Sequence, residues 1–289
     1  METKAIELKQ PAEWKIKWYR FRKNPLTLIG GFVLILFIIM AAFAPLLTPY
    51  EPDSIDMSNR LASPSAAHWF GTDEVGRDIF TRVIYGARLS LGMGISVVVV
   101  TGLIGTIIGA TAGYFGGKFG QIIMRIMDVI LAFPTLVLAM ALTAALGPSL
   151  FNAMLAIAIV KIPVFVRLAR SETLVVRERL YVKAAKTFGL SDIWIIFRHV
   201  IPNVITPVII QITIDLGDVI LLIATLGFLG LGAQPPTPEW GAMIHTGWEY
   251  FLNQWWYATF PGLFIFLASV SFNLLGDGLR DLLDPKSLK

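Results

Sequence analysis

The chain has 289 residues, of which 55% are hydrophobic and only 15% are charged, and its formal net charge is +4. Its mean hydropathy is positive. This composition excludes an ordinary soluble globule, because so few charged residues could not cover its surface. The sequence contains no cysteine, which excludes disulfides, thiol chemistry and cysteine metal sites.

Long apolar stretches dominate the chain, and a helix needs about 20 apolar residues to cross a bilayer. The sequence therefore predicts an all-α membrane protein with six transmembrane helices. The first stretch also contains the small-x-small pattern of a signal-peptide cleavage site at Ala42-Phe43-Ala44. Its apolar run is longer than that of a signal peptide, so we interpret it as an uncleaved helix. The six predicted spans are residues 26–47, 89–114, 129–146, 150–166, 204–232 and 258–276.

Lysine and arginine predict the orientation of the transmembrane domain, 26–285. The N-terminal tail, 1–25, and the polar segment 170–203 are basic, whereas the loop 48–88 holds more carboxylates than basic residues. The positive-inside rule therefore places this tail, the segment 170–203 and the C-terminal tail, 286–289, in the cytoplasm. The basic residues flank the membrane, which favours contact with lipid headgroups and not with nucleic acid.

Glycines 105, 109 and 113 recur every four residues within the second span. Small residues at this spacing let two helices pack closely, which we favour over a role in gating.

Three charges lie within later spans: Lys161 in the fourth, and Asp215 and Asp218 one turn apart in the fifth. Buried charges are costly, so they usually mark a pathway or a partner. They predict either the lining of a substrate route or an intersubunit contact, or else an internal ion pair or a helix-end contact. Arg125 and Asp128 lie near the cytoplasmic end of the third span, where snorkelling explains them.

The polar segment 170–203 has the pattern of two short amphipathic helices separated by Gly189. Leu174, Tyr181, Ala185 and Phe188 recur at spacings that predict one face of the first helix. Glycine commonly ends a helix in the left-handed conformation, as expected at Gly189.

The second helix of this segment is expected to begin after a cap at Ser191. Ile193, Ile196, Phe197 and Val200 predict its apolar face, and Pro202 is expected to end it. The small pair Ala184-Ala185 would let another protein approach the backbone. We therefore interpret the whole segment as a docking element.

Catalytic patterns are sparse. The three histidines show no ligand spacing, so no metal site is predicted. The segment 113–119 is glycine-rich but has the wrong spacing for a phosphate loop, and Phe119 occupies the position that needs Ser or Thr. The chain therefore has no predicted nucleotide site and no cofactor of its own.

An intramembrane aspartyl protease is an alternative of another class, with Asp218 after Gly217 and Asp128 as the second carboxylate. It is disfavoured because Asp215 stands where that pattern expects glycine, and because Asp128 lies near the membrane edge. A passive channel would leave the segment 170–203 unexplained.

The segment 183–202 resembles the cytoplasmic loop of ABC-importer permeases, whose pattern is Glu-Ala-Ala, three residues, Gly, nine residues, Ile-x-Leu-Pro. Lys183, His199 and Ile201 depart from this pattern. Similar departures occur in the peptide-importer branch. The positions that match in register are Ala184, Ala185, Gly189 and Pro202. Other stretches similar to the C-type subunit of dipeptide and oligopeptide permeases are 70–73, 76–78, 86–91, 228–232, 234–238, 276–281 and 284–285.

This resemblance implies a type I ABC-importer permease fold with cytoplasmic coupling helices and a di- or oligopeptide cargo, with nickel or glutathione as alternatives. It implies four partners: a homologous B-type permease subunit, two cytoplasmic ATPases that bind the ATP and magnesium, and an extracytoplasmic solute-binding protein. The first helix of 170–203 would dock on an ATPase, and the loops 48–88 and 234–257 would receive the binding protein. Within the former loop, 71–73 and 76–78 are either tight turns or part of that surface.

Overall fold

The computed structural model of the protein describes residues 24–283, so the two predicted tails lie outside it apart from residues 24 and 25. Within this range the regular structure is helical, with one isolated β-bridge between Thr72 and Asp78. A 3₁₀ turn, Met57–Asn59, and a π-helical turn, Ile196–Val200, supplement the α-helices. These helices are α1 (Pro25–Ala42), α2 (Ala44–Leu47), α3 (Ile79–Phe115), α4 (Gly117–Leu131), α5 (Thr135–Leu146), α6 (Leu150–Val176), α7 (Leu180–Thr187), α8 (Asp192–Ile195), α9 (Ile201–Phe228), α10 (Trp240–Trp248) and α11 (Trp255–Leu283).

Five helical segments between residues 24 and 283 are long and apolar enough to cross a membrane, and a bent pair of helices raises the number to six. The five single-segment candidates are α1, α3, α6, α11 and the continuous helix from Asp192 to Phe228. The predicted third span, 129–146, is not one straight helix, because α4 and α5 meet at 90°. Pro134 precedes α5 with extended backbone, since its ring blocks continuation of the preceding helix.

The predicted glycine packing is confirmed where α3 crosses α6. A Cβ atom on Gly109 would lie 2.8 Å from Ala169 Cβ, and one on Gly113 would lie 2.8 Å from Thr173 Cβ. Gly105 meets Phe165 in the same way. Because no side chain fits between them, the backbones of α3 and α6 are in direct contact along this row.

The first and last helices also touch. A Cβ on Gly30 of α1 would lie 2.9 Å from Leu274 Cβ in α11, and Gly278 of α11 abuts Thr27 of α1. Two apolar cores result from this arrangement. One joins α3, α6 and α9 around Phe165, and the other joins α1, α3, α10 and α11 around Trp240.

The two glycine motifs of the loop 48–88 form tight turns around a buried carboxylate. Gly71 and Gly76 have φ angles of +74° and +82°, in the region that favours glycine. Asp73 is fully buried and accepts hydrogen bonds from Val75 N at 3.0 Å and from Arg77 Nε at 2.6 Å. This geometry supports the turn interpretation of the two motifs.

Arg82 ties this loop to the loop 234–257. Its guanidinium donates to the carbonyl oxygen of Pro52 at 2.8 Å and to that of Pro236 at 2.9 Å. The side chain is buried, so both bonds are shielded from water. The two loops predicted to lie outside the cell therefore form one joined layer.

Candidate functional site

The docking segment 170–203 contains the predicted break at glycine. Helix α7 ends at Thr187, and Gly189 follows with a φ of +79°. Ser191 then caps α8, its hydroxyl oxygen accepting a hydrogen bond from Trp194 N at 3.4 Å. Both the left-handed turn and the cap are therefore confirmed.

The apolar face predicted for the first helix is only partly right, since of its members within α7 only Ala185 is buried. Leu174 belongs to α6, and the break in helix before Leu180 puts it out of phase with α7. The residues of α7 that pack inward are Val182 and Ala185, whereas Phe188 is 85% exposed. Spacing defines a face only within one uninterrupted helix, so the count of residues across the break was misleading.

The second predicted face is also only partly right. Ile196 and Val200 are buried, but Ile193 and Phe197 are exposed. Pro202 does not end the helix, because it lies at the start of α9 directly after a π-helical turn. The π-helical turn before it lets the chain pass from α8 into α9 without a stop.

The outward faces of α7 and α8 carry a set of large apolar side chains that the described residues leave uncovered. Ala184 lies among them and is exposed, whereas Ala185 is 7% exposed and packs against this chain. Contiguous exposed apolar side chains usually mark an interaction surface. The side chains of this docking face are Leu180 (85% exposed), Phe188 (85%), Ile193 (69%), Trp194 (44%) and Phe197 (56%).

Polar contacts fasten the docking segment to the end of α3. Tyr114 donates a hydrogen bond to Asp192 Oδ1 at 2.7 Å, and Lys186 lies 5.8 Å from the centre of the Tyr114 ring. Arg177 donates to the carbonyl oxygen of Gly113 at 2.8 Å. Sequence reasoning missed these contacts, because no local pattern relates positions so far apart in the chain.

The three intramembrane charges that the sequence singled out come together between α6 and α9. Lys161 Nζ lies 3.4 Å from Asp215 Oδ1 and 3.6 Å from Asp218 Oδ2. Lys161 and Asp215 are buried, whereas the Asp218 side chain is 63% exposed. The internal ion pair is therefore present, and one of its carboxylates still faces away from the bundle.

Asp128 lies in a different pair. It accepts a hydrogen bond from Arg167 Nη2 at 2.6 Å, so each of the two acids of the protease alternative has its own basic partner. A protease pair needs two carboxylates that share one proton. This arrangement gives that alternative no support.

Comparison with known proteins agrees with the helical architecture. Residues 105–289 match the family described as binding-protein-dependent transport system inner membrane component. Residues 13–64 match the N-terminal transmembrane domain of oligopeptide transport permease C. The first match alone covers more than half of the chain.

Several curated relatives are similar over almost their whole length. The chain is 53% identical to the probable D,D-dipeptide transport system permease protein of Escherichia coli K12, over 99% of this chain and 97% of that protein. It is 49% identical to the dipeptide transport system permease protein of Alkalihalophilus pseudofirmus, over 94% and 90%. It is 44% identical, over the same shares, to a glutathione transport system permease protein of Escherichia coli O6:K15:H31. The chain therefore belongs to the binding-protein-dependent transport system inner membrane components, in the branch of the C-type peptide permeases.

Proposed function

We propose that this chain is one of two permease subunits of an ATP-driven importer of di- or oligopeptides. The names of its relatives support this cargo, since two are dipeptide permeases and glutathione is itself a small peptide. The second permease subunit is a homologous B-type chain, and the two together enclose the translocation pathway. A nickel cargo has no support among these relatives.

The importer's energy comes from two cytoplasmic ATPase subunits that bind ATP and magnesium. The sequence supports this assignment, because none of its segments has the spacing of a phosphate loop and the energy must then come from another subunit. Both termini and the docking segment face the cytoplasm, in line with the positive-inside rule. The isolated chain is expected to hydrolyse no ATP.

An extracytoplasmic solute-binding protein delivers the peptide to the loops 48–88 and 234–257. The bonds of Arg82 to the carbonyl oxygens of Pro52 and Pro236 support a single receiving surface, because they hold the two loops together. The buried Asp73 and Arg77 pair stiffens the first loop. A stiff layer passes a docking force to α3, whose first turns belong to that loop.

The docking face of α7 and α8 contacts one ATPase and transmits its movement to the membrane helices. The observation that carries this proposal is the division of the segment into two faces. One face presents exposed apolar side chains around Ala184, and the other is buried or bonded to α3. Because α8 runs into α9 without a break, a push on the docking face moves α3 and α9 together.

The test substitutes Gly189 by valine in the reconstituted importer. The φ of +79° is strained for valine, by about 1–2 kcal/mol, so the turn between α7 and α8 should shift. Apart from the two chain neighbours, no heavy atom of the described residues lies within 4 Å of a Cβ placed there, so within this chain the variant acts mainly through the backbone. We expect normal assembly, with lower peptide uptake and lower ATP hydrolysis stimulated by the binding protein.

Gly147 offers a matched control between α5 and α6. Its φ is +93°, and a Cβ there also meets nothing within 4 Å. Its ψ is 146°, in a region that is essentially restricted to glycine, so Gly147→Val should introduce at least as much strain away from the docking face and leave the stimulated ATP hydrolysis unchanged. Equal effects of both variants, or wild-type uptake by Gly189→Val, would contradict the assignment of the docking segment.

A further inference from the structure

The charged cluster between α6 and α9 is unbalanced. It contains one cation, Lys161, and two carboxylates, Asp215 and Asp218, near the middle of helices that cross the membrane. Among the described residues, no other basic group lies within 4.0 Å of either carboxylate. A net negative charge at this depth is costly unless a cation or water meets it.

Two further observations concern the place where a positively charged group from outside this chain would bind. Asp215 Oδ2 is buried and makes no hydrogen bond of 3.5 Å or less among residues 24–283, although the Gln211 side chain of the same helix lies near this carboxylate. The Asp218 side chain is 63% exposed on the outside of this chain, where contact with lipid would be unfavourable. The exposed Asp218 carboxylate therefore points to a group that this chain does not itself supply.

The contacts of Lys161 are loose. Its Nζ lies 3.4 and 3.6 Å from the two carboxylates, whereas a fully formed charge-assisted bond is about 2.7–2.9 Å long. The pair Arg167–Asp128, at 2.6 Å, shows such a closed bond in the same protein. Asp218 therefore remains able to accept a second donor without breaking a strong bond.

We propose that Asp218, with Asp215 and Lys161 behind it, is a site on the translocation pathway for the protonated amino terminus of the peptide. This inference rests on the proposed function as a peptide importer. The peptide ammonium donates to Asp218, while Lys161 stays with the buried Asp215. The permease thereby selects for a free amino terminus at the membrane step.

The chemistry of the cluster favours an organic ammonium over a metal ion. Within residues 24–283, no group of three or more His, Asp or Glu side chains could hold a metal. The Lys161 ammonium between the two carboxylates would also repel a divalent cation. An ammonium of single charge matches the single unbalanced carboxylate.

The test compares two peptides of one sequence, one with a free amino terminus and one N-acetylated. Uptake is measured in proteoliposomes that hold the complete importer, with binding protein and ATP. The binding protein's own preference is common to all variants, so it cancels when their uptake ratios are compared. We expect Asp218→Asn to lower the ratio of free to acetylated uptake at least fivefold. Asp218→Glu, which keeps the charge, should stay within twofold of the natural chain.

Asp128→Asn is the matched control, because it removes another acid of the membrane helices that already has a tight partner, Arg167. It should change uptake of both peptides equally. If no variant imports the acetylated peptide, the test uses the apparent KM for uptake of the free peptide. We expect this KM to rise at least fivefold in Asp218→Asn, while the ATP hydrolysis stimulated by the binding protein stays unchanged.

An unchanged ratio, or in that second case an unchanged KM, overturns the proposal. Loss of the B-type subunit on purification of Asp218→Asn also overturns it, and assigns the carboxylate to subunit association. A different result tests the proposed function itself. If the natural complex, given binding protein and ATP, imports neither peptide, then peptide import fails and not merely this site.

Discussion

The Tyr114 hydroxyl at the end of α3 donates a hydrogen bond to Asp192 Oδ1 at 2.7 Å, and Asp192 is the first residue of α8. This bond joins a membrane helix to the proposed docking segment directly. In the proposed coupling, α3 and α9 move with the docking segment, and this movement requires such contacts between them. The end of α3 and the start of α8 therefore form one mechanical joint.

Tyr114→Phe should loosen this joint without disturbing the ring packing. A hydrogen bond of about 1 kcal/mol corresponds to a factor of about 5 in an equilibrium, so we expect peptide uptake per ATP hydrolysed to fall by up to about that factor. The measurement is the coupling ratio in proteoliposomes. Tyr85→Phe, in the first part of α3, is the control and should keep the wild-type ratio. An unchanged ratio in Tyr114→Phe would show that the joint does not transmit the movement.

Substitution of the two neighbouring alanines of α7 by a bulky residue should have different effects. Ala184 is exposed on the docking face, so Ala184→Trp should block the ATPase while the permease pair stays as stable as before. Ala185 is buried against this chain, so Ala185→Trp should destabilise the permease itself by about 1–3 kcal/mol. Copurification of the ATPases and the melting temperature of the permease pair separate the two effects. Loss of stability in Ala184→Trp would place that residue inside the fold.

The glycine row of α3 provides a test of close packing. Gly109→Ala would bring its Cβ to 2.8 Å from Ala169 Cβ and 3.0 Å from Arg170 N, and should cost about 1–3 kcal/mol. Gly92→Ala in the same helix meets nothing within 4 Å and should be neutral or stabilising by about 0.5–1 kcal/mol. Melting temperatures of the purified complex check both. Similar values for the two variants would mean that α3 and α6 can move apart at little cost.

Glu239 should make stability depend on pH. It caps α10 from a buried position, where burial raises the pKa of its carboxyl group against the opposing effect of hydrogen bonds from Gly241 N, Ala242 N and Ser90. The folded chain therefore binds this proton more tightly than the unfolded chain does. The stability that results is fully present below the unfolded pKa, about 4.3, and is lost as pH rises through the folded value.

Glu239→Gln removes this titration. The variant should have a lower melting temperature at pH 5, because a cap worth about 0.5–2 kcal/mol is weakened. Its melting temperature should then fall less between pH 5 and pH 8 than that of the natural complex. Parallel curves for the two proteins would show that the Glu239 carboxyl does not change its protonation over this range.

Much of the fold could be predicted from sequence because its helices are set by hydropathy over about 20 residues, a local property. The break at Pro134 could not, since proline occurs both in kinked and in interrupted membrane helices. The apolar face predicted for α7 was partly wrong for a related reason, because a periodic pattern does not show where a helix is interrupted. Sequence alone identified three charged residues, because charged side chains are energetically costly inside a membrane: Lys161, Asp215 and Asp218. Their contact with one another depends on how α6 and α9 cross, which the sequence does not show.

The contact of the first described helix with the last has a consequence for synthesis. Thr27 in α1 reaches its neighbour Gly278 only after nearly the whole chain has been made. At about 5–20 residues per second, α1 must reside in the bilayer for on the order of 10–50 s without this neighbour. The exposed surface of α1 is mostly apolar, so lipid can solvate this helix until α11 has been made. Closure of the bundle by α11 is therefore a late event in the biogenesis of this subunit.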